Sequence, residues 1–336
     1  MKIAVGISGG VDSAVAAELL IRRGNAVVGV TMTLGRDGEE HTLAEARAVA
    51  SRLGIELLTC DLAAAWRETV LGGVRSAYRR GLTPNPCVSC NETVKFGLLP
   101  AFAFAAGCDL FATGHYARLE GGRLFRATDH AKDQSYFLYR VRPDVLARVI
   151  FPLGGLTKAQ VRAEAHASGL TAADKGDSQD FCGGDPRAAL GTGDREGAVV
   201  TVDGRIVGRH RGYWHYTPGQ RKGLGIGGGV PYYVLALRPE TNEVVVGFRD
   251  AAVTHVFRVE RFVTHPGWAR ATLGTDLAVK VRSAGEPCGP CRVTPLGDGE
   301  VRVECPVGLA TVAPGQSAVF YLDGEVLGGG FIASSD

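Results

Sequence analysis

Residues 2–13 have the sequence KIAVGISGGVDS, and this stretch predicts the architecture of the first part of the chain. The apolar run KIAVGI is typical of a buried strand, and VDSAVAAELLIRRG predicts a helix that ends at Gly24. The glycines between them let the backbone approach an anion closely, and the free N–H groups at the start of the helix point towards it. We therefore predict a phosphate-binding loop between the first strand and the first helix.

The loop differs from two common nucleotide-binding patterns. It is not G-x-G-x-x-G, which argues against a dinucleotide fold, and it is not G-x-x-x-x-G-K-[ST], which argues against a P-loop NTPase. Asp12 has two interpretations, a cap at the start of the helix or a carboxylate that binds Mg²⁺ beside a triphosphate. Ser8 and Ser13 likewise either stabilise the turn or donate hydrogen bonds to phosphate.

Strand and helix patterns alternate through the first half of the chain. Strands are predicted within NAVVGVTMTL, IELLTCDL and CDLFATGHYARL, with helical segments between them. Two capping boxes are predicted to open helices, one at Thr42 with Glu45 and one at Thr157 with Gln160. This alternation predicts an α/β fold whose parallel sheet is doubly wound, with helices on both faces.

Beyond about residue 185 the helical patterns disappear and short alternating strands take their place. Asp-Gly pairs, which favour hairpin turns, occur at positions 203–204, 298–299 and 323–324. We therefore predict three domains: an α/β domain at residues 1–185, a small mixed central domain at 186–248 and a β-barrel at 249–336.

The composition is that of an ordinary soluble globular protein. Of the 336 residues 45% are apolar and 21% are charged, and the formal net charge is +2, so a nucleic-acid partner is neither demanded nor excluded. The amino-terminal stretch lacks the apolar core of a signal peptide, and no apolar run approaches the roughly 20 residues of a membrane span. We predict a cytoplasmic protein.

Eight cysteines are too few for a disulfide framework in a chain of this length, so each needs its own explanation. In TPNPCVSCN, residues 83–91, Cys87 and Cys90 form a C-x-x-C pair, and Cys90 directly precedes a helix predicted to start near Asn91. The dipole of that helix would favour the thiolate form of Cys90. Cys182 lies in the polar, glycine-rich stretch KGDSQDFCGGD, which is not typical of a core cysteine.

The remaining cysteines carry less information. Cys60 and Cys108 lie at the ends of apolar runs, and Cys305 ends the alternating EVRVEC, so all three are predicted to be core residues. Cys288 and Cys291 form a second C-x-x-C pair, which either binds zinc with further ligands or is incidental. The stretch GRHRGYWHYTPGQRKG, residues 208–223, suits either RNA or a solvated hairpin with core aromatics.

Several stretches together resemble a known family. The loop GISGGVDS is similar to that of the ATP pyrophosphatases, and it is followed in order by TPNPxxxCN, TGHYAR, KDQSYFL, FPLG, DS…C, HYTPGQRKGLGIGG and PGQSAVFY. In this combination the chain resembles the bacterial tRNA-specific 2-thiouridylases over nearly its whole length, and the segment from Gly183 to Gly197 is the least similar. The family's fold is an ATP-pyrophosphatase domain, a central domain and a C-terminal β-barrel, in agreement with the pattern above.

The resemblance implies an enzyme that adenylates O2 of the wobble uridine of tRNA and replaces that oxygen with sulfur. It implies that Cys182 carries a persulfide and that Cys90 attacks to release the sulfur, with a Cys90–Cys182 disulfide as an end state. The implied ATP site comprises Gly6, Ile7, Ser8, Gly9, Gly10, Val11, Asp12, Ser13, Met32 and Gly114. The implied target-base segment is Asn85, Pro86 and Cys87, and the implied tRNA contacts are His115, Lys132, Asp133, Gln134, Arg282, Ser283 and Gln316.

Cofactors and partners follow from the same resemblance. ATP and Mg²⁺ serve the adenylation, tRNAs for Lys, Glu and Gln are the expected substrates, and a cysteine desulfurase or a sulfur-relay protein is the expected donor. The chain departs from a common form of the family at Cys87, where the family often has aspartate. Cys87, Cys90 and Cys182 would together suffice to hold a [4Fe-4S] cluster with one open iron, so a persulfide route and a cluster route are both open.

Two other functions are compatible with the residues alone. Another ATP-pyrophosphatase enzyme, such as a tRNA lysidine synthetase or an amidotransferase, would need neither Cys90 nor Cys182. A non-catalytic RNA-binding protein would instead use the two C-x-x-C pairs as one four-cysteine zinc site.

Overall fold

The computed structural model describes residues 1–170, 184–191, 193–227, 229–271, 276–310 and 312–335. The described residues form two compact units. The first comprises Met1–Val70, the described part of Cys87–Gly183, and Asp323–Val326. The second comprises Leu71–Pro86 and the described parts of Gly184–Leu322 and Leu327–Asp336.

Strands and helices alternate along residues 1–170, as the sequence predicts. The strands are β1 (Lys2–Gly6), β2 (Ala26–Thr33), β3 (Leu57–Asp61), β4 (Leu110–Ala112), β5 (Ala117–Glu120), β6 (Arg123–Arg126) and β7 (Val149–Ile150). The helices are α1 (Val11–Arg22), α2 (Glu39–Leu53), α3 (Ala63–Trp66), α4 (Gly72–Arg79), α5 (Pro86–Cys90), α6 (Leu99–Ala105), α7 (Pro143–Leu146) and α8 (Lys158–Ala167). Wider π-helical turns join α3 to α4 at Arg67–Leu71 and α5 to α6 at Asn91–Leu98. None of the described helices is long and apolar enough to cross a membrane.

Five strands of the first unit form one parallel sheet, in the order β3-β2-β1-β4-β7. The central strand β1 pairs in parallel with β2 on one side and with β4 on the other. The prediction of a parallel α/β sheet is confirmed. The order of the strands reverses between β1 and β4, and a sheet of this kind binds its ligand in the crevice outside the carboxyl ends of the strands at that point.

The core of this unit explains why the first stretch of sequence is so informative. Ile3 and Val5 of β1 are fully buried, which is why the strand is a continuous apolar run rather than an alternating one. The helix α1 buries Ala14 and Leu20 in the same core cluster. The loop between β1 and α1 is therefore held between two rigid elements.

Two local predictions in residues 1–170 are wrong in detail and one is confirmed. The helix α2 begins at Glu39 and not at Thr42, since Gly38 turns the chain with a φ of 73° and two acidic residues in the first turn suit the helix dipole. The stretch CDLFATGHYARL contains two strands, β4 and β5, which lie in different sheets. The capping box of Thr157 and Gln160 opens α8 as predicted.

The central part of the second unit is a small mixed sheet, as predicted. Its strands are β8 (Gly197–Thr201), β9 (Ile206–His210), β10 (Tyr233–Arg238) and β11 (Glu243–Gly247), in the order β10-β11-β8-β9. Among the described strands of this small sheet, only β11 and β8 pair in parallel. Tyr213 and Trp214 are buried in its core, whereas Arg209 and Arg211 are exposed. These two aromatics therefore serve packing and not base stacking.

The carboxyl-terminal strands form a closed barrel, which confirms the predicted β-barrel. They are β12 (Val253–Thr264), β13 (Leu277–Lys280), β14 (Cys288–Gly297), β15 (Glu300–Ala310), β16 (Ser317–Leu322) and β17 (Glu325–Ser335). The order is β12-β15-β14-β13-β16-β17, and β12 also pairs with β17 to close the ring. Asp298-Gly299 and Asp323-Gly324 form the predicted turns with positive φ at both positions, as hairpins of this type require.

The predictions for Cys60 and Cys108 are confirmed, whereas the prediction for Cys305 is only partly correct. Cys60 and Cys108 are buried as predicted, and burial raises the pKa of both thiols. Cys305 lies in the barrel core but forms a disulfide with Cys291, so the prediction of a plain core thiol is wrong. The reason is the pairing of β14 with β15, which brings the two Cα atoms to 4.4 Å.

Candidate active site

The loop between β1 and α1 lies at the carboxyl end of β1, beside β4, where the order of strands reverses. Gly10 is the N-cap of α1, with an extended backbone, and it has no side chain to occupy the helix terminus. Ile7 and Val11, at the two ends of the loop, are buried and anchor it to the core. The first turn of α1 can therefore present its N–H groups to an anion, as predicted.

Two serines brace the loop from within. The hydroxyl of Ser13 donates to the carbonyl of Gly10 at 3.0 Å and accepts from the backbone N–H of Ser8 at 3.2 Å. Ser13 is buried, whereas Ser8 is exposed. Ser13 therefore fixes the shape of the loop, and Ser8 supports it, because its hydroxyl accepts from the N–H of Gly10 at 3.4 Å and lies 3.2 Å from the hydroxyl of Ser13.

Two glycines are required by close packing around this loop. A Cβ atom on Gly114, just beyond β4, would lie 2.7 Å from the backbone carbon of Asp12 and 2.8 Å from the nitrogen of Ser13. Gly9 has a φ of 81°, and a Cβ there would lie 2.5 Å from Cβ of Glu45. Only glycine allows the segment after β4 to contact the first turn of α1, which explains Gly114 in physical terms.

Asp12 is the second residue of α1, so the interpretation as a helix cap is wrong. Its carboxylate accepts hydrogen bonds from the ammonium of Lys158, at 2.8 and 2.9 Å, and from the hydroxyl of Tyr116 at 2.8 Å. The side chain of Lys158 is 9% exposed and that of Asp12 is 32% exposed. A lysine from α8 and a tyrosine from the loop after β4 thus hold the carboxylate at the mouth of the phosphate loop.

Lys158 and Tyr116 are residues of this site that the sequence analysis missed. Lys158 is 146 positions from Asp12, and no spacing in the sequence connects the two. The available signal is topological, because α8 begins soon after β7, and β7 is the neighbour of β4 in the sheet. A helix that starts after a parallel strand begins at the carboxyl edge, where the phosphate loop also lies.

The loop at residues 129–134 is tied to the same place. Asp129 accepts from the backbone N–H of Lys158 at 2.9 Å, which anchors the loop to the start of α8. Asp133 is buried and accepts from Ala127 N–H and from both the N–H and the hydroxyl of Ser135. These contacts give Asp133 a role in holding the loop together.

Gln134 and Lys132 complete this loop. The side-chain oxygen of Gln134 accepts from the backbone N–H of Tyr116 at 2.9 Å. The backbone N–H of Gln134 donates to the carbonyl of Tyr116. Gln134 therefore holds the tyrosine that reaches Asp12. Lys132 is half-buried in the same loop.

His115 lies next to Tyr116 in an aromatic environment. Its Nδ1 is 2.8 Å from the hydroxyl of Thr113, and its ring packs against Phe96 and Phe151, with centroids 5.3 and 6.2 Å away. Burial, together with the positive charge of Lys95, lowers the pKa of His115 to about 3. The imidazole is therefore neutral at physiological pH and can offer hydrogen bonds but no charge.

Cys87 and Cys90 lie in adjacent turns of one helix, which begins at Pro86 and not near Asn91 as predicted. Proline is well tolerated in a first helical turn, since its missing N–H would have no helical partner there. Cys87 is half-buried, and Cys90 is 3% exposed and is the last residue of α5, so the expectation that Cys90 directly precedes a helix whose dipole favours its thiolate is wrong. The helical segment from α5 to α6 leads into β4, so its first turn lies at the carboxyl edge of the sheet.

The other predicted site residues are distributed as follows. Met32 is half-buried near the carboxyl end of β2, one strand from the phosphate loop, and Cys182 lies outside the described residues. In the second unit, Arg282 and Ser283 are exposed in the segment after β13. Gln316 lies just before β16 and donates to the carbonyls of Thr83 and Pro84.

Three family models match consecutive parts of the chain. A model described as the tRNA methyl transferase HUP domain matches residues 1–183. A tRNA methyl transferase PRC-barrel domain matches residues 191–248, and an aminomethyltransferase beta-barrel domain matches residues 256–332.

Full-length relatives are similar along the whole chain. A tRNA-specific 2-thiouridylase MnmA of Pelobacter propionicus is 44% identical over 353 residues, covering 100% of this chain and 98% of the relative. One of Chloroflexus aurantiacus is 43% identical and covers 99% of this chain and 98% of the relative. One of Bacteroides fragilis is 40% identical and covers 99% and 94%.

Proposed function

The chain belongs to the family of the tRNA-specific 2-thiouridylases, and we propose that it carries out the ATP-dependent 2-thiolation of the wobble uridine of tRNA. The observation that carries the proposal is the phosphate loop at the β1–β4 crevice, with Asp12 held there by Lys158 and Tyr116. The proposed domains are an adenylating domain at 1–185, a central domain at 186–248 and a tRNA-contacting barrel at 249–336. Since tRNA is the substrate, we place the reaction in the cytoplasm.

The proposed reaction has two halves. O2 of the uridine attacks the α-phosphate of ATP, pyrophosphate leaves, and the uridine is activated as an adenylate. The terminal sulfur of a persulfide on Cys182 then attacks C2, and AMP leaves with the former O2. The thiolate of Cys90 finally attacks the sulfur of Cys182, which releases 2-thiouridine and leaves a Cys90–Cys182 disulfide. A reductant must supply two electrons before the next turnover.

The ATP site is proposed at the loop from Gly6 to Ser13, with Met32 and Gly114 beside it. Preorganised N–H groups and a positive side chain stabilise charge that develops on the phosphates, and they act more strongly where water is excluded. Lys158 fits this role because its buried ammonium is already aimed at the loop. Asn85, Pro86 and Cys87 are proposed to meet the target base, which must be turned out of the anticodon loop to be reached.

Mg²⁺ is proposed to bind at Asp12. The chemistry of the site fits, because a carboxylate that is partly exposed beside a phosphate loop supplies the hard oxygen ligand that Mg²⁺ takes. When bound, the ion neutralises phosphate charge. Lys158 and Tyr116 hold the carboxylate in place before the nucleotide arrives.

The sulfur route is proposed to be the persulfide, with a cysteine desulfurase or a sulfur-relay protein as donor. Cys87 and Cys90 fit two corners of a [4Fe-4S] cluster, since residues three apart share a helix face, and Cys182 would be the third ligand. When bound, a cluster supplies an iron that carries sulfide.

An iron count is expected to separate the two routes. Two preparations are compared, one reconstituted anaerobically with iron and sulfide and one freed of iron. The persulfide route predicts that the iron-free protein forms 2-thiouridine fully from a persulfide donor. The cluster route predicts that activity rises in proportion to bound iron and is lost when iron is chelated. Three or four iron atoms per active chain would contradict the persulfide route.

The affinity for tRNA is expected to depend less steeply on salt when Lys132 is replaced. If this ammonium meets a tRNA phosphate, Lys132→Ala reduces the slope of log affinity against log salt by about one unit, because fewer counterions are released on binding. His115→Gln is the matched control from the same region: the neutral ring contributes no charge, so its slope should equal that of the unchanged protein. Affinities measured between low and moderate salt give both slopes. A slope for Lys132→Ala equal to that of the control would remove Lys132 from the phosphate contacts.

Nucleoside analysis tests the proposed function directly. Unmodified tRNA, protein, ATP, Mg²⁺ and a sulfur source are incubated, and digested tRNA is examined for 2-thiouridine while AMP release is followed. A tRNA lysidine synthetase or an amidotransferase would release AMP without forming 2-thiouridine. A zinc-containing RNA-binding protein would release none, and its four-cysteine site would lack a thiol because Cys291 is bonded to Cys305.

A further inference from the structure

The barrel contains a rigid turn, Pro314-Gly315-Gln316, that precedes β16. The N–H of Gly315 donates to the carbonyl of Ile332 on β17 at 2.7 Å, and the N–H of Ile332 donates to the carbonyl of Gln316 at 2.8 Å. Gln316 also donates its own N–H to the carbonyl of Ala313 at 3.1 Å. Two backbone hydrogen bonds thus fix the turn to β17, and the third closes the turn itself.

The same turn holds a distant segment of the second unit by hydrogen bonds. The carbonyl of Pro314 accepts from the N–H of Thr83 at 2.8 Å. The side-chain nitrogen of Gln316 donates to the carbonyls of Thr83 and Pro84, at 3.0 and 3.3 Å. Pro84 and Pro86 have no N–H, so this segment has few other backbone donors with which to hold itself.

Gly315 brings the two backbones into direct contact. Its φ is 89°, and a Cβ at this position would lie 2.8 Å from Cβ of Leu82 and 2.9 Å from the nitrogen of Thr83. Any side chain here would push residues 82 and 83 away from the turn. Pro314 therefore supplies a carbonyl acceptor, Gly315 allows the close approach, and Gln316 supplies the amide donor. Together they contact residues 82–84.

We propose that this turn positions the target-base segment, and that Gln316 acts in the reaction by holding Thr83 and Pro84. The held residues directly precede Asn85, Pro86 and Cys87, and α5 begins at Pro86. Fixing the carbonyls of residues 83 and 84 fixes the backbone that directly precedes Asn85 and Pro86. This inference rests on the proposed function, because it takes Asn85 to Cys87 as the residues that meet the base.

This role differs from the one implied by the resemblance, in which Gln316 touches tRNA. An amide nitrogen has two hydrogens, and two carbonyl oxygens accept them. The donors of Gln316 are therefore used within the protein, and two carbonyl acceptors also determine which way the amide is turned. A positioning role predicts an effect on the reaction rate, whereas a tRNA contact predicts an effect on tRNA affinity.

Two variants of the full-length protein separate these roles. Gln316→Met keeps the length of the side chain and removes the donors, and Gln316→Glu also places an anion against the two carbonyls. Both are expected to speed hydrogen exchange of the Thr83 amide in tRNA-free protein by about tenfold, because the two side-chain hydrogen bonds that hold this segment beside Pro314 are lost. Both should lower the maximal rate of AMP release by about tenfold while the Kd for tRNA stays within about twofold. Ser283→Ala, an exposed barrel residue proposed to touch tRNA, should instead raise the Kd and leave the exchange of Thr83 unchanged.

Each outcome has one meaning. A raised Kd with unchanged exchange in the Gln316 variants would overturn the proposal in favour of a tRNA contact. Faster exchange with a normal rate of AMP release would overturn it as well, since loosening the segment would then have no effect on the reaction. Absence of 2-thiouridine with the unchanged protein would instead refute the proposed function, and the exchange measurement would still report on the hydrogen bonds of the turn. Melting temperatures close to that of the unchanged protein exclude misfolding as the cause.

Discussion

Asp12→Asn is expected to lower the rate of tRNA-dependent AMP release on the order of 100-fold. Asparagine keeps the shape of the side chain and one oxygen that can accept from Lys158 and Tyr116, but it removes the negative charge. The proposed Mg²⁺ contact is then lost, and so is the charge of the ion pair between Asp12 and Lys158. Binding of tRNA should change by less than about twofold, because salt-dependent affinity arises from phosphate contacts elsewhere on the surface.

The control for this variant is Glu18→Gln on the same helix. Glu18 lies among the residues of α1 beyond the loop and pairs with Arg22, so its loss should leave AMP release unchanged. Rates are measured with labelled ATP over a range of Mg²⁺ concentrations. A normal rate for Asp12→Asn at every Mg²⁺ concentration would reduce Asp12 to a structural partner of Lys158.

Cys90→Ser is expected to reduce 2-thiouridine formation by at least on the order of 10³-fold, as the loss of a nucleophile does elsewhere. A serine hydroxyl is not ionised at neutral pH and cannot attack the persulfide sulfur, whereas a thiolate can. AMP release should continue at a rate within severalfold of normal, because the phosphate loop and Lys158 are unchanged. Digested tRNA is examined for 2-thiouridine, and AMP is followed in the same samples.

Cys108→Ser is the matched control for the loss of a buried thiol in the same unit. Cys108 is 4% exposed and lies two residues before β4, so it is at the amino edge of the sheet, opposite the phosphate loop. The Cys108→Ser variant should form 2-thiouridine at the normal rate per folded molecule, even if its melting temperature falls. Equal thiolation by both variants would show that Cys90 does not carry out sulfur transfer.

The features that the sequence determined by itself are local ones. A continuous apolar run, a glycine turn and a largely apolar helical segment specify β1, the loop and α1, because backbone dihedrals and burial pattern act over a few residues. The Asp-Gly turns at 298–299 and 323–324 and the capping box at Thr157 follow for the same reason. The resemblance added the expected roles of residues within these stretches.

Competing local signals account for two of the errors. Thr42 with Glu45 has the spacing of a capping box, but Gly38 turns the chain earlier and the helix begins at Glu39. Pro84 and Pro86 suggest an irregular segment, yet Pro86 opens α5 because a first helical position needs no N–H. Cys90 is therefore the fifth residue of this helix and does not lie before a helix N-terminus.

Only the tertiary structure decided which distant residues meet. Lys158 reaches Asp12 across 146 positions and Gln316 reaches Thr83 across 233, because parallel strands bring their following loops to one edge and barrel closure presents one turn to a remote segment. The bond between Cys291 and Cys305 likewise depends on the pairing of β14 with β15. The low pKa of His115 depends on Phe96 and Phe151, which pack around it from other elements. Such contacts are set by topology and packing, which act between segments, whereas propensity and periodicity act within them.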